Sequence, residues 1–360
     1  MALIPHHERV DFEKKKFDSS ATRIGPETVP ITAMAMNRAL MPGSRKGTVV
    51  SCLTTASSLR SGTLKAALQK KKALLLDQFG VLHDGKNLYP GVQEAIEYLH
   101  EELGLRILIV SNSSRRSNGA LKNLEKKGIN VKLIEGAITS GEVTTLAFTA
   151  MPREEAFRGL RRCVHFTWGS RGAISLDGLD LEVVGDASTA DFILAHGTEA
   201  IGTNEGPCSC SLDEMKQLLE QAAAHRLPMI VANPDLVTVD GSRLITMPGT
   251  LAKHYEDLEG GIVYRMGKPD RRIYVEALSM LGLEPSEVMA IGDSMEHDIA
   301  GAAAMGIDSI FIAGGIHRDV AMVKVDGDDG RDQLIDEDGV ASLCAEFQCC
   351  PSFVLPSMKL

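Results

Sequence analysis

The chain predicts an α/β fold: a doubly wound parallel sheet with a second α/β body inserted midway. Three observations carry this. A strand–helix–strand–helix alternation runs from Ala73 to Gly128, and the same alternation returns from Ile262 to Ala313. Between them lie about 120 residues with an α/β pattern of their own. Buried strands that alternate with helices signal a parallel sheet covered on both faces.

Order is expected to begin at Ala73-Leu74-Leu75-Leu76-Asp77, a short apolar run suited to a strand buried on both faces. A loop from Gln78 to Tyr89 follows. Pro90 then opens a helix with Val92, Ala95, Ile96 and Leu99 at helical spacing, stopped by Gly104. Leu105 to Val110 reads as the second strand, ending in Ser111-Asn112-Ser113-Ser114, and a helix from Arg116 to Lys127 ends at Gly128. In the inserted segment, Cys163–Phe166, Phe192–Ala195 and Met229–Ala232 read as strands. Ser211 to His225 reads as a helix opened by a capping box, Ser211 with Glu214. The closing section reads as strand Ile262–Arg265, helix Asp270–Leu281, strand Val288–Ile291, helix Asp298–Met305 and strand Ser309–Ala313. A Gly/Asp-rich loop, Asp326 to Asp332, separates these from a tail that regains apolar character at Gly339-Val340-Ala341 and Phe353-Val354-Leu355. The expected division is a disordered leader over 1–70, a core in two parts over 71–140 and 262–360, and an inserted domain over 141–261.

Bulk properties narrow the function classes. With 360 residues, 44% of them apolar and 24% charged, the chain can bury full hydrophobic cores. A net charge of −10 repels a phosphate backbone, so no nucleic-acid partner is expected. No apolar run approaches the roughly 18 residues that span a bilayer, so no membrane partner is expected either. Seven cysteines lack both a disulfide framework and metal-site spacing, and all are read as reduced thiols. Between Thr28 and Leu76 there are eight Lys or Arg and no acid, in a Ser-rich context like an organellar transit peptide. Acids before Glu27 argue against that address. The expected location is therefore cytoplasmic, with plastid or mitochondrion as the alternative.

In an open doubly wound sheet, ligands gather at the carboxyl ends of the strands. Asp77 ends the first strand, Ser111 and Asn112 the second, and Gly292-Asp293 the Val288–Ile291 strand. Lys268 lies in the loop after Ile262–Arg265, and Asp298 follows Asp293 at the start of the next helix. Close carboxylates repel one another unless a divalent cation sits between them, and oxygen-only ligands favour Mg²⁺ over zinc. A metal and a lysine suit a dianionic phosphoryl group, with a hydroxyl and backbone N–H groups on its other oxygens. Asp77 is then placed for in-line attack on phosphorus. Singly, each residue reads as a turn former, helix cap or solvated lysine; the combination at successive strand ends is what points to a site.

These residues resemble the haloacid dehalogenase superfamily from Ala73 to about Ile316. Asp77-Gln78-Phe79-Gly80-Val81-Leu82 looks like its first motif, with Asp77 as nucleophile and the Phe79 carbonyl as a metal ligand. Ile109-Val110-Ser111-Asn112 looks like the second, with Ser111 on phosphate. Gly267-Lys268-Pro269 looks like the third, and Gly292-Asp293-Ser294 with Asp298 like the fourth, on Mg²⁺. The resemblance implies a Rossmann-like core. The large insertion, with Asn233-Pro234-Asp235 near its end, resembles the cap of the class IIA branch of nucleotide and p-nitrophenyl phosphatases. Gly80 to Gly85 and Pro351 to Ser357 resemble an uncharacterised subgroup of that branch. Caps of this kind close over substrate and set specificity, which points to Gly141–Leu258 and above all to Asn233 and Asp235. Such caps often mediate dimers, so a homodimer through the cap is one candidate assembly.

One position departs from the resemblance. The family's phosphatases carry a second Asp two residues after the nucleophile as general acid/base, and this chain has Phe79 there. Such help is worth about 10²–10⁴-fold. His83 and Asp84 are candidate substitutes, although both read more simply as residues that shape the loop. The leading expectation is a Mg²⁺-dependent phosphohydrolase acting on a small phosphorylated metabolite. The alternatives are a non-catalytic phosphoryl-ligand binder, and a phosphotransferase or phosphonate-cleaving variant. Metal-free dehalogenation would leave Asp293 without a purpose.

Overall fold

The structure is a computed structural model and describes residues 54–56, 58–150, 153–240, 243–324 and 333–360. In chain order the elements begin with β1 (Thr54–Thr55), α1 (Gly62–Leu68), β2 (Ala73–Leu76), α2 (Val92–Glu97), β3 (Arg106–Ser111), α3 (Ser117–Lys127), β4 (Gly136–Thr139) and α4 (Ser140–Thr149). Then come β5 (Arg162–Thr167), β6 (Glu182–Val183), β7 (Phe192–Ala195), β8 (Ala200–Thr203), β9 (Gly206–Ser209), α5 (Leu212–Ala224) and β10 (Met229–Val231). A ribbon of β11 (Val237–Asp240) and β12 (Arg243–Thr246) leads to α6 (Pro248–Asp257), β13 (Val263–Arg265) and α7 (Arg271–Leu281). The remainder is β14 (Val288–Gly292), α8 (Ala300–Ala304), β15 (Asp308–Ile312), α9 (Arg318–Ala321), β16 (Met322–Lys324), β17 (Gln333–Ile335), α10 (Glu337–Phe347) and β18 (Phe353–Leu355).

The main sheet has seven strands in the order β1-β18-β15-β14-β2-β3-β4, every pair parallel. From β2 the chain winds outward through β3 and β4, and later returns to the other side of β2 as β14, β15 and β18. The winding direction therefore reverses between β2 and β14, where Leu76 is in register with Ile291. Strand ends diverge at such a switch point and leave a crevice.

Side-chain alternation explains why these strands are apolar throughout. Leu74, Leu76, Ile107, Ile109 and Ile291 pack with Leu64, Leu68, Val92 and Ile96 of α1 and α2. The other face, with Leu75, Leu108, Val110 and Ala290, packs with Phe148 of α4 and Ile273 and Ala277 of α7. That same cluster continues into Phe192, Leu194 and Ile230 of a second sheet, ordered β13-β10-β7-β5-β8-β9. The described residues form one compact unit, so the two sheets share a core. The far face of the second sheet is covered by Met215 and Leu219 of α5 and Leu251 and Tyr255 of α6.

The doubly wound parallel sheet is as expected, and the α5 capping box forms with both of its hydrogen bonds. Four local expectations change. Residues 54–70, assigned to the leader, supply β1 and α1, whose Leu64 and Leu68 are buried; the rest of the leader lies outside the described residues. Strand β13, expected in the core sheet, pairs instead with β10 of the second sheet, and the chain rejoins the core only after it. Helix α4, placed in the insertion, is capped by Thr139 directly off β4 and packs with the core cluster. The helix expected to start at Asp298 begins earlier, as a π turn over Met295–Ile299. A three-residue strand cannot signal its partner, and apolar helices read alike on either side of a boundary. The Asp326–Asp332 loop lies outside the described residues. Among the described residues no helix is long and apolar enough to cross a membrane, and the six cysteines there are free.

Candidate active site

Asp77 leaves the end of β2 at the switch point. Its N–H donates to the Ile291 carbonyl at 3.0 Å, which carries the β2–β14 pairing one residue past the strand and fixes its direction. Lys268 arrives from the loop between β13 and α7. Its buried Nζ donates to Asp77 Oδ1 and to Asp298 Oδ1, both at 2.6 Å. Asn112, at the end of β3, seats that lysine: Oδ1 accepts from the Lys268 N–H at 2.7 Å and Nδ2 donates to the Lys268 carbonyl at 3.2 Å.

Asp293 follows β14 and accepts from the Ile316 N–H at 2.7 Å. Two glycines make room for it. A Cβ on Gly80, whose φ of +75° already disfavours other residues, would lie 1.7 Å from Asp293 Oδ2; one on Gly315 would lie 2.2 Å away. Asp298 sits in the π turn, a geometry frequent at functional sites. Its Oδ2 accepts from the Ser294 N–H at 3.1 Å, and its carbonyl accepts from the Tyr274 hydroxyl at 3.2 Å.

One carboxylate oxygen from each of Asp77, Asp293 and Asp298 lies within 4.8 Å of the others, and all three residues are buried. Burial pushes Asp77 up to about 7 despite the neighbouring Lys268, and the Asp298 carboxylate adds to the rise. Burial also holds Asp293 well above the usual carboxylate range, reinforced by Asp77 and Asp298. For Lys268, burial would lower the pKa, but Asp298 and Asp77 together raise it, so it is a fixed cation. Three buried carboxylates beside one ammonium leave excess negative charge. That oxygen-rich, electron-rich donor set fits a hard divalent cation.

The structure places the other expected residues as follows. Ser111 is buried at the end of β3, its Oγ accepting from the Ser113 N–H at 3.3 Å. Phe79 exposes 37% of its surface and sets its ring edge-to-face with His83, centroids 4.5 Å apart. His83 itself is buried and accepts from the Gly85 N–H, while Asp84 accepts from the Lys86 and Asn87 N–H groups, so both shape the loop. Asn233 Oδ1 accepts from the Asp235 N–H at 3.0 Å. Asp235 reaches from the second sheet to the core, taking a bond from Asn112 Nδ2 at 2.8 Å and facing His297 Nδ1 at 3.3 Å. Trp168 is buried beneath the Arg171 guanidinium.

Sequence reasoning missed Tyr274, His297 and Ile316. Tyr274 lies on the apolar face of α7 and reads as core. His297 and the Ile316 N–H carry no motif of their own, and only the fold turns them toward the carboxylates.

A family model described as haloacid dehalogenase-like hydrolase matches residues 74–169, and a related HAD-hydrolase-like model matches residues 265–336. Together they bracket every strand end described above. The chain is 24% identical over 249 residues to an acid sugar phosphatase of Staphylococcus aureus, covering 69% of this chain and 89% of that relative. A haloacid dehalogenase-like hydrolase from Brucella suis is similar in structure, with a TM-score of 0.62 and 27% identity, covering 82% of this chain and 98% of that one. A p-nitrophenyl phosphatase from Archaeoglobus fulgidus shares the fold, with a TM-score of 0.58 and 22% identity over 80% of this chain and 97% of that one.

Proposed function

Because this chain belongs to the haloacid dehalogenase-like hydrolases, we propose that it is a Mg²⁺-dependent phosphohydrolase of small phosphomonoesters working through an aspartyl-phosphate on Asp77. The observation that carries the reading is the buried Asp77–Lys268–Asp298 chain, with both ion pairs at 2.6 Å. It holds one carboxylate at the open end of the central strand with a fixed cation beside it. Uncompensated, a buried carboxylate array of this kind is costly, and such a cost is typical of functional sites.

In this reading an Asp77 carboxylate oxygen attacks phosphorus in line, and the bond from phosphorus to the ester oxygen breaks. The leaving oxygen takes its proton from water. A second water then attacks the aspartyl-phosphate, releasing inorganic phosphate and restoring Asp77. Lys268 Nζ offsets charge on the phosphoryl oxygens and on Asp77, and Asp298 keeps that ammonium aimed. Ser111 and nearby backbone N–H groups receive the remaining oxygens. Asp77, Asp293 and the Phe79 carbonyl would hold Mg²⁺, with Asp298 supporting it, and the ion would supply charge neutralisation on the phosphoryl group. The second sheet acts as the cap, with Asn233 and Asp235 bordering the substrate. A homodimer through that cap is part of the same reading.

Phe79 favours a second reading. It offers no proton where a general acid is needed, as in a protein that binds phosphoryl ligands without turning them over. Phosphate release by the full chain over a panel of phosphomonoesters, with Mg²⁺ or EDTA and beside Asp77→Asn, separates the two. Metal-dependent release that Asp77→Asn abolishes supports the enzyme. Ligand binding without release from any ester supports the binder.

A further inference from the structure

Nine large hydrophobic side chains are exposed among the described residues, and three of them sit on segments that converge on the carboxylate cluster. Phe79, 37% exposed, lies two residues past Asp77 and directly before Gly80, which presses on Asp293. Ile316, 57% exposed, donates its own N–H to Asp293 and directly follows Gly315, where a Cβ would also fall against Asp293. Val237, 41% exposed, lies two residues past Asp235, which is hydrogen-bonded to Asn112.

Apolar side chains left exposed together at a crevice usually mark what binds there. Two amides nearby that could meet sugar hydroxyls are already engaged at the atoms that face the site. Asn112 uses both ends of its amide on Lys268 and Asp235, and the Asn233 carbonyl oxygen is taken by the Asp235 N–H. A polyol covered by this rim would lose hydration against apolar side chains, whereas an alkyl or aryl group would lose only unfavourable contact with water.

We propose that Phe79, Val237 and Ile316 form an apolar rim that selects phosphomonoesters whose alcohol half is an alkyl or aryl group rather than a sugar or other polyol. This rests on the phosphohydrolase reading and sharpens it, and it separates this chain from relatives named as sugar phosphatases.

The test compares n-hexyl phosphate with a hexose phosphate esterified at its primary hydroxyl, so that both leaving groups are primary alcohols and the small difference in basicity favours the hexose ester. With the full chain and Mg²⁺, kcat/KM should favour the hexyl ester by about tenfold or more, the scale of hydrophobic-pocket discrimination. Ile316→Asn and Val237→Asn should each reduce that ratio severalfold. Equal or better turnover of the hexose ester, or a ratio that neither variant moves, overturns the proposal. If neither ester is hydrolysed, the phosphohydrolase reading is left to the wider ester panel. The rim is then judged by calorimetric binding of the same two esters to the full chain. Tighter binding of n-hexyl phosphate, lost in Ile316→Asn, upholds it, and equal or absent binding rejects it.

Discussion

Tyr274 is tied to Asp298 through its hydroxyl, which donates to the Asp298 carbonyl at 3.2 Å and to the adjoining His297 carbonyl at 3.0 Å. The phenol rests where a side chain on Gly301 would stand, since a Cβ there would lie 2.4 Å from its oxygen. Tyr274 belongs to α7, the helix that starts just after Lys268, so one side chain joins the segments carrying both halves of the Lys268–Asp298 pair. Tyr274→Phe keeps the ring and strips both carbonyls of a donor. It should cost about 1–3 kcal/mol of stability and weaken Mg²⁺ binding by about 10–100-fold. Denaturant unfolding and calorimetric Mg²⁺ titration read the two effects separately, and a stability loss with unaltered Mg²⁺ binding would reduce Tyr274 to a packing residue.

The charge imbalance among Asp77, Asp293 and Asp298 makes metal and stability interdependent. Mg²⁺ at a hundred times its Kd should stabilise the full chain by about 2.7 kcal/mol, reversed by EDTA. Asp293→Asn removes one of the mutually repelling carboxylates. It should therefore raise metal-free stability while abolishing the Mg²⁺ response. Thermal melts with and without metal decide this, and a variant less stable than the parent in EDTA would count against it.

Asn112 joins the lysine loop to the second sheet through three bonds, to the Lys268 N–H, the Lys268 carbonyl and Asp235. Asn112→Ala leaves buried partners unsatisfied. A loss of about 2–3 kcal/mol in stability is expected, with phosphate release falling about 10–100-fold as Lys268 loses its aim. Asp235→Ala cuts only the link to the second sheet and should act mainly on KM, measured by steady-state kinetics.

The second sheet carries a buried histidine pair, His165 Nε2 and His196 Nδ1 3.1 Å apart. Burial lowers His165 from its ordinary 6.5 to about 4, and burial followed by the His165 charge puts His196 well below its ordinary value. A histidine whose folded pKa is depressed stays neutral in the native state while the unfolded chain takes up a proton. Its stabilising contribution is therefore complete above pH 6.5 and lost as pH falls toward about 4. The raised Asp77 acts in the opposite sense throughout this window, so the informative quantity is a difference. His165→Gln should recover about 1.4 kcal/mol per pH unit relative to the parent across that window. Urea unfolding at several pH values measures it, and parallel stability curves for the two proteins would show that the pair is not buried neutral.

The main sheet was legible because each of its central strands is apolar on both faces, as Leu74-Leu75-Leu76 and Ile107-Leu108-Ile109-Val110 are. Asp77 and Asp293 were legible for a related reason, since each follows such a strand, whereas Lys268 follows a strand of the second sheet and Asp298 sits inside a π turn, so both were legible only from their place in the chain order. The partner of β13, the core position of α4 and the presence of β1 and α1 ahead of β2 were not. Their apolar residues fit either side of a boundary, and only packing chooses between the sides.

By itself the sequence determined the doubly wound core, the order of the strand ends and the chemistry those ends carry. Strand periodicity and the residue that ends each strand are local properties. Tertiary structure alone decided that Asn112 would spend its amide on Lys268 and Asp235, that Tyr274 would hold the Asp298 turn, and that the segments carrying Phe79, Asp235 and Ile316 would converge on the carboxylates. Those pairs are separated by up to hundreds of residues in the chain, and what joins them is the winding reversal between β2 and β14, a property of strand order in space that no local pattern encodes.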